Sequence, residues 1–249
     1  MVIFHSDIDN TLIYSYKHDI GSDKVGVEIY EGRVISFMTA KTHTLLKEVA
    51  RKTIFIPTTT RTLEQFQRID FGVTPDYALV CNGGVLLDHG KEDAEWYAES
   101  LELVKHAEAE MKKAQEYLEQ DSNRSFELRY IRDLFLFTKS EKPLETVKGL
   151  KAVLDASQVD VFHNGVKVYV VPKNMDKGTA CERLKKRLQA DYRMAAGDSE
   201  FDIPMLAVVE EAIAPKGLQE MYGLDVQAVC DEEKMFFSDF VLEHVLNRK

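Results

Sequence analysis

The sequence predicts an α/β protein: a mostly parallel sheet covered on both faces by helices, interrupted by an inserted antiparallel α+β module of order α-β-β-α-β-β. Three observations carry this reading. Short apolar runs alternate with helix-like segments towards both ends of the chain, a pattern that selects parallel strands joined by helical crossovers. The middle changes character, to a long amphipathic helix followed by segments of alternating polarity,. Within it, Asn164-Gly165 separates two such segments, and Asn-Gly is the strongest short hairpin signal.

In order along the chain, Val2-Ile3-Phe4 reads as a buried strand running into Asp7-Ile8-Asp9-Asn10-Thr11. Val25 to Tyr30 and Arg33 to Phe37 alternate around Glu31-Gly32 and form a hairpin, expected to project as a flap beside Asp7 and Asp9,. Thr53 to Pro57 is a strand and Leu63 to Ile69 a helix, and the apolar run Tyr77 to Cys81 is closed by the turn signal Asn82-Gly83-Gly84,. Ser100 to Glu119 predicts one helix, with a stripe of Leu101, Leu103, Val104, Ala107, Met111, Ala114 and Leu118,. Strands at Ser125 to Tyr130 and Asp133 to Thr138, a helix at Pro143 to Leu154, and the hairpin Val159 to His163 with Val166 to Val171 follow. The αβ alternation then resumes. Lys177 to Gln189, Asp202 to Val209 and Phe237 to Leu246 read as helices. Met194 to Ala196, Ala212 to Ala214 and Val226 to Val229 read as strands. The expected organisation is a discontinuous core of residues 1–84 and 175–249 with an insert of residues 85–174.

At 249 residues and 45% hydrophobic, the chain can bury a substantial core. A net charge of −10 disfavours nucleic acid and anionic membranes, which demand a basic face. It does not exclude a small anionic substrate, because a bound cation can reverse the field inside a pocket. No apolar run approaches the roughly 20 residues needed to span a bilayer, and the N-terminus carries no secretion signal. Cys81, Cys181 and Cys230 have no metal-type spacing and read as reduced core thiols. The expected location is the cytoplasm.

The chemistry-bearing residues fall at strand ends and helix starts. Asp7 and Asp9, two residues apart, point the same way where the first strand ends, and the carboxyl ends of strands are where open α/β sheets bind ligands. Thr58-Thr59-Thr60-Arg61 follows the second core strand, and its hydroxyls and backbone N–H groups suit a phosphoryl group or an ordinary helix cap. Lys177 opens a helix, where the dipole disfavours a cation, which suggests an anionic neighbour. Asp198 and Asp202 lie in Gly197-Asp198-Ser199-Glu200-Phe201-Asp202. Converging carboxylates without a His or Cys cluster select a hard cation such as Mg²⁺.

Taken in order, Asp7-x-Asp9-x-Thr11, Thr59, Lys177 and Gly197-Asp198-x-x-x-Asp202 resemble the haloacid dehalogenase (HAD) superfamily of phosphatases. The insert resembles the class-IIB cap of the Cof-type sugar phosphatases, and Asn82-Gly83 resembles the Asn-Gly turn these proteins carry just before the cap. The resemblance implies a Rossmann-like three-layer α/β/α core and a Mg²⁺-dependent phosphatase acting on a small phosphorylated metabolite, with sugar phosphates as the expected class. Asp7 is then the nucleophile that becomes an aspartyl-phosphate, and Asp9 the general acid and base. Thr59, Thr60 and Lys177 bind phosphate. Asp7, the Asp9 carbonyl, Asp198 and Asp202 hold Mg²⁺, the last directly or through water. The cap is expected to close over the substrate, with Arg129, Arg132, Lys139, His163, Lys167 and Tyr169 as contacts. Two departures stand out: Phe201 replaces the Asn of G-D-x-x-N-D, and Thr60 replaces the Gly of T-G-R. A phosphosugar mutase or phosphotransferase, or a binding protein on the same fold, fits the same motifs, and the oligomeric state stays open.

Overall fold

The structure, a computed structural model, describes residues 1–248. Strand β1 (Val2–Ser6) is followed by a small antiparallel sheet of β2 (Tyr14–Ser15), β3 (Lys24–Tyr30) and β4 (Arg33–Thr39). Helix α1 (Ala40–Lys52), β5 (Ile54–Pro57) and the short helix α2 (Leu63–Phe66) lead into an antiparallel meander of β6 (Tyr77–Val80), β7 (Val85–Asp88) and β8 (Lys91–Glu92). Next come α3 (Ala94–Val104), α4 (Glu108–Gln120), β9 (Arg129–Ile131), β10 (Phe135–Lys139), α5 (Pro143–Val153), β11 (Val159–Asn164) and β12 (Lys167–Pro172). Then follow α6 (Lys177–Leu188), β13 (Tyr192–Ala196), α7 (Ile203–Leu206), β14 (Glu211–Pro215), α8 (Lys216–Tyr222), β15 (Ala228–Cys230) and α9 (Phe237–Asn247). The chain divides into two compact units: Met1–Asp93 with the chain from Asp176 onward, and Ala94–Met175.

The first unit is built on a parallel five-stranded sheet of order β15-β14-β13-β1-β5. β1 is bonded on both sides, with Phe4 opposite Met194 and Phe55, and Ile3 to Ser6 are all buried, which is why Val2-Ile3-Phe4 is an unbroken apolar run rather than an alternating one. Helices flank the sheet. Cys181 of α6, Met205 and Leu206 of α7 and Leu218 of α8 pack on Ala195, Ala212 and Ala214, while α1 and α9 pack together around Asp239, whose carboxylate accepts from Thr39 and Thr42 at 2.6 Å each. Helix α6 is capped by Asp176, which accepts from the Thr179 N–H at 2.8 Å, and ends in Lys185, Lys186 and Arg187, a charge order that favours the helix dipole.

Two expectations need correction. The insert begins at Ala94, not at residue 85, because Val85–Asp88 pairs with Tyr77–Val80 and stays with the first unit. The turn between them needs left-handed backbone at Cys81, Asn82 and Gly83 (φ 52°, 58° and 88°), and a Cβ on Gly83 would lie 2.4 Å from that of Ala180. The single helix expected at 100–119 is two helices separated by a 3₁₀ turn at Lys105–Ala107. An apolar stripe spaced by threes and fours fits either geometry, so periodicity does not reveal the turn. In the second unit the order is α-α-β-β-α-β-β, with an antiparallel sheet β11-β12-β10-β9. Met111, Ala114, Leu118, Leu136, Leu150 and Val170 belong to its core.

His5, fully buried in β1 with its Nδ1 3.2 Å from the Thr58 hydroxyl, adds a pH dependence. Burial first, and then the charge of Arg193, push its pKa from 6.5 to about 3. Between those values the unfolded chain takes up a proton that the folded chain refuses, so stability rises with pH across this window. From pH 7 to pH 5 His5 alone contributes a loss of about 2 kcal/mol. Urea unfolding of wild type and His5→Gln at both pH values checks this: the variant should lose correspondingly less, and an equal loss means His5 is not the group responsible.

Candidate active site

The carboxyl ends of β5, β1 and β13 are level, with Ser6 opposite both Pro57 and Ala196. The chain leaves β1 for β5 on one side and returns as β13 on the other, making a topological switch point,. Backbone bonds carry the alignment past the strands: Asp7 N–H donates to the Ala196 carbonyl at 2.9 Å and Thr58 N–H to the Ser6 carbonyl at 2.8 Å. Asp7, Thr59 and Asp198 are thereby brought to one edge. Asn10 then turns the chain with φ 60°, a conformation Asn adopts more readily than most residues. Thr11 returns beneath the aspartates, buried, with its hydroxyl 3.1 Å from Asp198 Oδ1 and 3.4 Å from Asp7 Oδ2.

Lys177 is 1% exposed, and its Nζ lies 2.5 Å from Asp7 Oδ1 and 2.5 Å from Asp202 Oδ1. Burial alone would lower its pKa, but Asp202 and Asp7 raise it above the ordinary lysine value, so it is an ammonium. These two carboxylates answer the adverse dipole at the start of α6. Asp202 is fully buried. Its second oxygen accepts from the backbone N–H of Asp198 at 3.1 Å, and from the N–H and hydroxyl of Ser199 at 3.0 and 2.9 Å. Gly197 permits this approach: a Cβ there would lie 2.3 Å from Asp202 Cβ.

Asp7, Asp198 and Asp202 each offer an oxygen within 4.8 Å of the others, against one ammonium. Burial raises the Asp7 pKa well above the carboxylate range. Lys177 opposes that shift, and Asp202, Asp198 and Asp9 add to it. Burial, then Asp202, push Asp198 up to about 7. A buried, all-oxygen cluster with excess negative charge fits a hard divalent cation. Asp202, with both oxygens engaged by the protein, is oriented by Lys177 and the 198–199 loop.

Asp9 stands apart, its side chain 51% exposed. Arg61 grips it in a bidentate fork, Nη2 to Oδ1 at 2.7 Å and Nε to Oδ2 at 2.8 Å. The same guanidinium reaches the buried Glu28 of β3 at 2.9 and 3.0 Å. In the sequence motifs Arg61 is only the last residue of Thr58-Thr59-Thr60-Arg61, with no role of its own, and Glu28 is not singled out. The available signal is a lone carboxylate, Glu28, on an otherwise apolar alternating hairpin strand. Thr59 is buried, and its hydroxyl oxygen accepts from Arg61 N–H at 3.1 Å. The cap of α2 is Thr62, not Thr59 or Thr60. Thr60 has no positive φ, so its backbone does not require the glycine of T-G-R. Phe201 sits in a 3₁₀ turn at Glu200–Asp202.

In the second unit the expected contacts spread along the sheet. Arg129 lies over the Phe126 ring at 4.9 Å and donates to Glu127. Lys139 lies over the same ring at 4.6 Å. Tyr169 packs between Phe137 and Phe162, with ring centroids 5.3 and 5.8 Å away. His163 faces the Gly165 carbonyl at 3.2 Å and Lys167 is exposed. Arg132 is not on a strand but in the β9–β10 turn at φ 51°, stacked on Tyr97 at 4.5 Å.

Among the described residues no helix is long and apolar enough to cross a membrane. No curated protein matches the sequence at a significant level. Solved structures do match the fold. The sucrose-phosphatase of Synechocystis sp. PCC6803, solved with sucrose and phosphate, aligns over 98% of this chain and 96% of its own at TM-score 0.69 and 16% identity. A haloacid dehalogenase-like hydrolase from B. subtilis aligns over 100% of both chains at TM-score 0.61 and 15% identity. The HAD subclass IIB sugar phosphatase BT4131 aligns over 98% of both at TM-score 0.57 and 14% identity. Identities this low speak for the fold alone. The haloacid dehalogenase-like hydrolase family model matches residues 89–216, just over half of the 249-residue chain, and the chain belongs to that family.

Proposed function

We propose that the chain is a Mg²⁺-dependent phosphatase that hydrolyses a small phosphorylated metabolite, a sugar phosphate, through an aspartyl-phosphate on Asp7. The observation that carries this is the meeting of Asp7, Lys177, Asp198 and Asp202 at the β1 end of a parallel sheet. Asp7 attacks phosphorus as the ester P–O bond breaks, and Asp9 gives its proton to the departing oxygen. Asp9 then takes a proton from the water that attacks the aspartyl-phosphate, and inorganic phosphate leaves with Asp7 restored. Lys177, the Thr59 hydroxyl and the backbone around Thr60 hold the phosphoryl oxygens. Asp7, the Asp9 carbonyl and Asp198 would hold Mg²⁺, with Asp202 a direct or water-mediated ligand, and the ion would supply charge screening at the phosphoryl group. Sugar phosphates are the class that the resemblance of the insert to the class-IIB cap implies, and the Synechocystis sucrose-phosphatase, which shares the fold, was solved with sucrose and phosphate. The three cysteines, all free and buried, suit a reducing cytoplasm.

A phosphate-release screen over sugar phosphates and related metabolites, with Mg²⁺ or with EDTA, tests the reading. Release that needs Mg²⁺ supports it. Interconversion of hexose-phosphate isomers without release of phosphate would replace it with a mutase, and Mg²⁺-dependent binding without any turnover would replace it with a binding protein.

A further inference from the structure

We propose that Arg61 and Glu28 are positioning residues that aim the Asp9 carboxyl at the leaving-group oxygen, so that the β3–β4 hairpin, through Glu28, sets how well the enzyme expels poor leaving groups. The inference rests on the reading of Asp9 as the general acid.

Without a partner, a half-exposed aspartate turns freely about two side-chain bonds. The Arg61 fork fixes both oxygens of Asp9 in one plane, the bidentate geometry that gives orientation as well as energy. Arg61 is itself held at every level. Its N–H donates to Thr59 Oγ1 at 3.1 Å, its carbonyl accepts from Cys81 N–H at 2.8 Å, and its guanidinium meets Glu28 twice. Burial would lower the Arg61 pKa, but the hydrogen bonds and charges of Asp9 and Glu28 hold it above the ordinary value, so the fork stays charged.

Glu28 is the unexpected member. It is 1% exposed in a three-stranded sheet, accepts from the Ser36 hydroxyl at 2.6 Å and pairs with Arg68 at 3.2 Å. The β3–β4 register shifts on both sides of it, between Gly26 and Glu28 and between Glu28 and Ile29. Bulges of this kind re-aim a side chain and cluster beside active sites. An apolar residue would fill the same space without desolvating a carboxylate. What a carboxylate adds is a fixed anchor on the far side of Arg61, so that one guanidinium is shared by two acids and cannot swing away from Asp9.

The chemistry gives a readout that a merely structural role would not move. As the P–O bond breaks, the proton from Asp9 matters when the leaving oxygen is basic and hardly at all when it is not. The value of kcat/KM reports the steps through formation of the aspartyl-phosphate. With Mg²⁺ present, Glu28→Gln and Arg61→Lys are compared with wild type on 4-nitrophenyl phosphate, a good leaving group, and on phenyl phosphate, a poor one of nearly the same shape. Both variants should lose about 10–100-fold in kcat/KM on phenyl phosphate and stay within about threefold on 4-nitrophenyl phosphate. Asp9→Asn should show the same selectivity, larger. Equal losses on both substrates, a rise in KM alone, or a gain on phenyl phosphate would each overturn the proposal, the last because it would make the fork a restraint. If Asp9→Asn shows no leaving-group dependence, the acid role of Asp9 fails and the inference falls with it. If only Asp9→Asn shows it, the acid role stands and the positioning role is refuted. Thermal unfolding of each variant separates loss of fold, and Arg61→Lys keeps the test open should Glu28→Gln not fold.

Discussion

Asp7→Asn is expected to lose turnover by roughly 10⁴-fold or more while keeping its fold, and to be no less stable than wild type in Mg²⁺-free buffer. Loss of activity follows from the chemistry: an amide oxygen neither attacks phosphorus usefully nor forms the acyl phosphate. Unimpaired stability follows from the cluster. Asp7 is 7% exposed among Asp9, Asp198 and Asp202, and its burial holds its pKa well above the ordinary value. A group whose folded pKa is raised costs stability at pH values where it must be ionised. Asn removes that charge and leaves Lys177 paired with Asp202. Phosphate release and thermal unfolding, measured on the same preparation, check both halves. Wild-type turnover in the variant would end the assignment of Asp7 as nucleophile, and a large fall in Tm would mean that its charge supports the fold.

Lys177→Met should cost both activity and fold. The ammonium is the cation between two carboxylates that are 7% and 0% exposed. Removing one partner from a buried ionic cluster leaves uncompensated charge, a loss of about 3–5 kcal/mol. Urea unfolding measures this directly. Mg²⁺ should restore part of the loss in Lys177→Met by returning positive charge to the cluster, so the deficit should shrink as Mg²⁺ is added. A deficit below about 1 kcal/mol would show that the cluster relaxes by protonation instead. The contrast between the two substitutions is the sharper test: one removes an excess charge and the other removes its compensation.

The parallel sheet is legible in the sequence because its physics is local. A strand buried on both faces favours an unbroken apolar run, and Val2-Ile3-Phe4, Ile54-Phe55-Ile56 and Met194-Ala195-Ala196 are such runs,. The hairpins are legible from Glu31-Gly32 and Asn164-Gly165, whose glycines accept the backbone their turns require. The meander of Tyr77–Val80, Val85–Asp88 and Lys91–Glu92 is less so, because apolar runs do not state whether they pair parallel or antiparallel. For the same reason the first boundary of the insert moves from residue 85 to Ala94.

Periodicity and turn chemistry act over a few residues. The order of elements therefore follows from the chain alone, as does the placing of Asp7, Thr59, Lys177 and Asp198 at strand ends and helix starts. What these side chains meet does not. Lys177 shared between Asp7 and Asp202, Asp202 caught in the 198–199 loop and Thr11 beneath Asp7 and Asp198 are contacts across up to 187 residues of chain. The fork from Glu28 through Arg61 to Asp9 joins three segments that no spacing rule connects. Charge pairing acts through space, and only the folded chain brings these groups within its reach.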